Sequence, residues 1–212
     1  MIRTESTPTI AEAGDAVTAV VETLELRDVT VVAHDLGGPA ALLATSRRAD
    51  RVATLVAVNC FAWKPAGPLF CGMLAVMGSG PATELDAATG WLPRLTATGF
   101  GVGRHWSGAD RAVFRAGIDN SARRAWHGYF LDARFANDVY AEVDAGLRGP
   151  LSDGPLLTIF GQLNDPLRFQ RRWKGLSPGA HRVTVHHGNH FPMCDDPELV
   201  AAAVKVHVRA AV

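Results

Sequence analysis

The residues best suited to chemistry lie in Val29-Thr30-Val31-Val32-Ala33-His34-Asp35-Leu36-Gly37-Gly38, an apolar β-type run that breaks at an aspartate and resumes as an alanine-rich helical pattern at Pro39. Small residues two before and two after the central position, Ala33 and Gly37, suit a sharp strand-to-helix turn, a nucleophile elbow that holds one side chain above a sheet. The side chain held there is Asp35. A carboxylate in that place suits attack on an electrophilic carbon, because it forms an ester that water later cleaves.

Cleaving that ester needs a base for the water and a group that orients the base. Leu156 to Gly161 reads as a short buried strand running into the polar turn Gln162-Leu163-Asn164-Asp165-Pro166, which puts an acid near the strand end. Arg182 to Gly188 alternates like a strand before Asn189-His190-Phe191-Pro192. The chain order nucleophile, acid, histidine is that of an elbow-type triad. Asp165 is therefore expected to orient His190, and His190 to activate water near Asp35, although Asn164-Asp165-Pro166 is also ordinary turn chemistry. His34 reads as structural support for the elbow. His186, His187 and His190 do not form a metal set with Asp195 or Asp196, since alternate strand residues face opposite sides and no second ligand pair stands elsewhere. No metal is expected.

Period and punctuation give the elements that must position these groups. Thr9 and Glu12 have capping-box spacing, and Ile10, Ala13, Val17, Val20, Val21 and Leu24 share one face, so residues 9–24 predict an amphipathic helix packed against the sheet. Strands are expected at 29–33 and 53–59 with a helix at 38–49 between them, which implies a parallel sheet with right-handed crossovers. Residues 61–149 depart from that alternation and carry Trp63, Trp91, Trp106 and Trp126. They read as a mostly helical cap inserted between core segments 1–60 and 150–212 of one domain spanning 1–212. Alternation returns with strands at 156–160 and 183–186, a helix near 167–176 and a closing helix capped by Asp196 with Pro197 at its first position.

Composition bounds the partners. A chain of 212 residues with 48% apolar and 20% charged residues has the make-up of a soluble globular protein with one core. Its formal net charge is zero and its Lys and Arg are dispersed, which gives no electrostatic case for nucleic acid or an anionic membrane. No signal-peptide pattern opens the chain, and no run approaches the ~18 apolar residues of a spanning helix. Cys60, Cys71 and Cys194 are an odd set without metal spacing, which suits free thiols in a reducing, cytoplasmic setting.

On His34-Asp35-Leu36-Gly37-Gly38, on Gly161 through Pro166, and on Gly188 through Pro192 followed by Asp196-Pro197-Glu198, the chain resembles the α/β-hydrolase fold. Within it, the resemblance is to the aspartate-nucleophile branch of haloalkane dehalogenases and epoxide hydrolases, and it covers nearly all of the chain. It implies an α/β fold: an α/β-hydrolase-like parallel sheet, N-terminally truncated, with a mostly helical cap insertion. It also implies that the acid can follow the preceding strand instead. In that family one oxyanion donor is the backbone N–H after the nucleophile, here Leu36, and the second lies on an earlier loop with no counterpart in residues 1–10. Losing one such donor typically costs about 100- to 1000-fold in rate.

The resemblance further implies a small-molecule substrate, no cofactor, and substrate contacts from cap side chains, for which Trp106, Trp126, Tyr129 and Tyr140 are the candidates. Leu36 stands where haloalkane dehalogenases place a halide-binding tryptophan, and the arginine that follows His-Asp in fluoroacetate-type dehalogenases is absent. Epoxide hydrolases use cap tyrosines to protonate the opening ring oxygen. The expectation is a hydrolase with epoxide opening favoured and dehalogenation or general ester hydrolysis as the alternatives. An alternative of another class is a catalytically silent hydrolase-fold fragment that works by binding, or as a homodimer paired through the open edge of the elbow strand.

Overall fold

The computed structural model describes residues 7–165 and 167–211, so Pro166 of the expected polar turn lies outside the described residues. Four β-branched runs form strands β1 (Val29–His34), β2 (Val52–Val58), β3 (Leu156–Gly161) and β4 (His181–Val185). They make one parallel sheet in the order β1-β2-β3-β4. β3 is buried throughout, as a central strand covered on both faces must be, and it is correspondingly apolar. Residues of β2 divide by parity between two apolar clusters. Leu55 and Ala57 join Leu42 and Leu43 of helix α2 (Gly37–Arg47), whereas Val56 and Val58 join Val200 of α11 (Pro197–Ala211). Helices thus cover both faces. β1 has β2 as its strand neighbour among the described residues, and its Val32 is 55% exposed.

Helix α1 (Ile10–Thr23) starts with the expected capping box, Thr9 accepting from the Glu12 N–H and Glu12 from the Thr9 N–H. It packs along α2 rather than on the sheet. Gly14 sets that contact: a Cβ there would stand 2.7 Å from Leu43 Cδ2. The buried stripe is accordingly Ile10, Gly14 and Val21, and Val17, Val20 and Leu24 of the expected apolar face point outward. At the other end of the chain, the Leu199 N–H bonds the Asp196 carboxylate, the cap expected for α11.

Between β2 and β3 the chain is helical: α3 (Pro68–Met77), α4 (Gly80–Thr89), α5 (Trp91–Thr96), α6 (Gly108–Ala116), α7 (Asn120–Asp132) and α8 (Asn137–Arg148). Ser79, Ser107 and Asp119 cap α4, α6 and α7. α8 lies against α2, where Gly146 admits Ser46 so closely that a Cβ would reach to 2.1 Å of its Oγ. This last helix therefore belongs to the core layer, and so does Trp63, buried edge-on against Trp173 of α9 (Phe169–Leu176).

A buried polar pair ties α3, α4, α5 and α7 together. His127 Nδ1–H donates to the Met77 carbonyl, His127 Nε2 stands 3.2 Å from Asp86 Oδ2, and Asp86 Oδ1 accepts from the Leu92 N–H; both side chains are fully buried. Removing Asp86 leaves His127 Nε2 and the Leu92 N–H buried without partners, and each such group typically costs about 1–3 kcal/mol. Asp86→Ala is expected to lose that much in a urea unfolding curve. A loss under about 1 kcal/mol would mean that the pair does not hold these helices.

Candidate active site

The elbow forms where β1 meets α2. Asp35 has φ 48°, a left-handed conformation that costs a non-glycine residue about 1–3 kcal/mol and persists only when the flanks impose it. Those flanks are bonded on both sides: the Asp35 N–H donates to Val58 O and the Gly38 N–H to Asp35 O. A close approach falls at Gly38, whose Cβ would lie 2.7 Å from Phe61 O, whereas a Cβ at Gly37 would have no neighbour within 4 Å. The Asp35 carboxylate is 40% exposed, bonded by the Leu36 N–H, and its Oδ2 lies 3.5 Å from His190 Nε2. Burial opposes its charge, but the neighbouring His190, His34 and the Leu36 N–H outweigh that and hold it below the usual carboxylate range.

His190 sits on a loop before α10 (Pro192–Asp195) that is pinned to three strand ends. Asn59, at φ 37° just beyond β2, donates through Nδ2 to the carbonyls of Asn189 and His190, each at 2.8 Å, and accepts from the Gly161 N–H. His34 Nε2–H donates to His190 O at 2.9 Å. Gly161 is required at the end of β3, because a Cβ there would meet Asn189 O at 2.0 Å. Asp195 accepts from the Asn189 N–H. Burial alone would lower the His190 pKa; the adjacent Asp35 charge more than reverses this and raises it. Burial, with the charge of His190, lowers the pKa of His34, whose ring holds the histidine loop through the His190 carbonyl rather than the elbow, where support was expected.

Above Asp35 and His190 opens a cavity of about 500 Å³, roofed by Leu92 and Thr96 of α5 and by Trp126, Tyr129 and Phe130 of α7. A second of about 290 Å³ adjoins it through Asp35, Leu36, Phe130 and His190, and is walled by Phe61, Phe70, Leu74 and Phe160. Trp126 and Tyr129 are three residues apart on α7 and so share a face. Their indole N–H and phenol O–H make no hydrogen bond among the described residues. Burial, with the Asp132 charge, pushes the Tyr129 phenol up to about 12, so it remains a proton donor.

The profile of the Alpha/beta hydrolase family matches residues 3–203. The chain belongs to that family. Among solved structures, this alpha/beta hydrolase is similar to haloalkane dehalogenase DatA from Agrobacterium tumefaciens, at 17% identity over 100% of this chain and 76% of that one, with a TM-score of 0.78. Haloalkane dehalogenase DbeA from Bradyrhizobium elkani is similar at 16% identity over 99% and 76%, with a TM-score of 0.79. A thermophilic esterase from Thermogutta terrifontis is similar at 17% identity over 97% and 74%, with a TM-score of 0.72. At these identities the likeness is one of fold. Comparison with curated proteins finds no match.

Asp35, Leu36, His190, Trp126 and Tyr129 come together in the hydrolase as expected, Asp165 joins them without the expected contact, and two other residues lie apart. Tyr140 is buried in the core with its O–H on Ala133 O, because α8 turns that face toward α2. Trp106 packs on Phe114 in the approach to α6 and does not line either cavity. Asp165 lines the smaller cavity, but its carboxylate accepts from the Phe169 and Gln170 N–H groups at the start of α9, so it does not orient His190. Unpaired N–H groups of a first helical turn are strong partners for a carboxylate. The turn closes with the Asn164 N–H on Gly161 O, and this carries Asn164, one residue earlier, to His190, with Nδ2 2.9 Å from Nδ1. Asn164 and Asn59 were both missed. The available signal was an amide at each of two strand ends.

Proposed function

We propose that this alpha/beta hydrolase opens small apolar epoxides through an ester on Asp35. The observation that carries the reading is a carboxylate, not a hydroxyl, on the elbow facing His190 at the foot of an apolar cavity. A carboxylate displaces a leaving group from saturated carbon without needing to be deprotonated at neutral pH. Asp35 forms the bond to a ring carbon, the ring C–O bond breaks, and the released oxygen takes the Tyr129 proton. Water then adds to the carbonyl carbon of the ester while its proton passes to His190 Nε2. The ester C–O bond breaks, the departing alkoxide takes that proton, and the proton of the regenerated acid restores Tyr129 through solvent. The sum is epoxide plus water to diol. Leu36 N–H, already on the carboxylate, stays with the ester oxygen through both steps.

Tyr129→Phe tests the reading, since a positioned proton donor contributes about 100-fold or more. The expected result is a fall of that size in the single-turnover rate of ester formation from epoxides; an unchanged rate would remove Tyr129 from the mechanism. Dehalogenation is the second reading, favoured by Trp126 and Tyr129, which line the cavity beside Asp35 and carry an N–H and an O–H that could bind a leaving halide. It differs in the same experiment. Tyr129→Phe would then keep most haloalkane turnover, because Trp126 N–H remains.

A further inference from the structure

We infer that Asn164, rather than a carboxylate, is the positioning residue of His190, and that its neutral amide leaves hydrolysis of the Asp35 ester as the slow step. The second half rests on the ester mechanism proposed above; the first does not.

Four groups face the imidazole. The Asp35 carboxylate is at Nε2, the His34 ring lies with its centroid 4.9 Å away, the Phe191 ring lies at 4.8 Å, and the Asn164 amide is at Nδ1. Asn59 and His34 hold the backbone of the loop, and Asp195 bonds the Asn189 N–H. Tyr129 stands across the cavity. Asp165 is engaged with α9. Among the described residues, Asp35 is thus the one carboxylate in contact with the imidazole.

With Asn164 Nδ2 donating to Nδ1, the imidazole proton sits on Nε2 and points at Asp35. To take a proton from water, Nε2 must be bare and Nδ1 protonated, and a half-turn of the amide then offers Oδ1 to the Nδ1–H. The amide thus serves both tautomers. What it lacks is the negative charge with which a carboxylate stabilises the imidazolium. Before attack, the Asp35 charge supplies that support from the other side. Once Asp35 is an ester the charge is gone, at the step in which water gives up its proton. In the Ser-His-Asp template, exchanging the acid for its amide costs on the order of 10⁴-fold in rate. The same deficit here falls on the second step alone, because the first needs only an ionised Asp35 and a proton donor.

Two measurements on the full chain test the two halves separately. Nitrogen-detected NMR follows the His190 titration and tautomer in the wild type, Asn164→Asp and Asp165→Asn, without substrate. A new carboxylate at Nδ1 should raise the His190 midpoint by about one unit or more and fix the Nδ1–H tautomer, while Asp165→Asn leaves the midpoint in place. A midpoint that follows Asp165 and ignores Asn164 overturns the assignment. Intact mass during steady turnover of an epoxide then reads the slow step. Wild type should be mostly alkylated, and Asn164→Asp mostly free with kcat raised about tenfold or more. Adduct-free wild type beside a trapped His190→Ala adduct overturns the slow-step half; no adduct in any variant overturns it by sinking the ester reading, and leaves the NMR assignment standing.

Discussion

Asp35→Ala should lower turnover of every substrate by a factor on the order of 10⁴ or more, since on the proposed ester mechanism it removes the covalent nucleophile and leaves only binding and residual polarisation of water. Among the described residues, the two nearby carboxylates are otherwise engaged. Asp165 is held by the α9 N–H groups and Asp195 lies behind the histidine loop on the Asn189 N–H. The left-handed backbone at Asp35 makes a sharper form of the test possible. Glycine adopts that conformation without strain, so Asp35→Gly should be no less stable than wild type in urea and equally inactive. Loss of activity with stability kept separates chemistry from folding. Activity within about tenfold of wild type in either variant would mean that Asp35 only caps the turn.

How much of this site could be read from the chain depended on whether a role is local. The elbow, the parallel strands and the Asp196 cap of α11 follow from periods and caps within a dozen residues, and they stand where they were expected. The choice between Tyr129 and Tyr140 was not local. Both lie on helices of the same long segment, and only the packing of α8 on α2 sends Tyr140 into the core while α7 presents Tyr129 to the cavity. The orienting group failed by one residue. Charge favoured Asp165, but the N–H groups of α9 outcompete the imidazole for that carboxylate, and the geometry of the turn delivers Asn164 instead. The buried Asp86–His127 pair joins residues 41 apart in sequence, with no periodic signal to connect them.

His190→Ala should stop the reaction after its first step. Asp35 and Tyr129 remain, so the ester forms, and with no base near it the ester persists. The variant also changes the pH at which trapping works. In wild type, His190 helps hold the Asp35 carboxylate below the usual range. Without it, the burial that opposes the Asp35 charge is countered only by His34 and the Leu36 N–H, so the pKa rises and a larger fraction is ionised as pH is increased. Trapping should therefore be faster at mildly alkaline than at acidic pH. The decisive measurement is the intact mass of folded His190→Ala after incubation with epoxides and haloalkanes, followed by mapping of the modified peptide. The account predicts a stable gain of one whole epoxide per chain, carried by Asp35; a folded variant that gains no mass, or gains it on another residue, would contradict it.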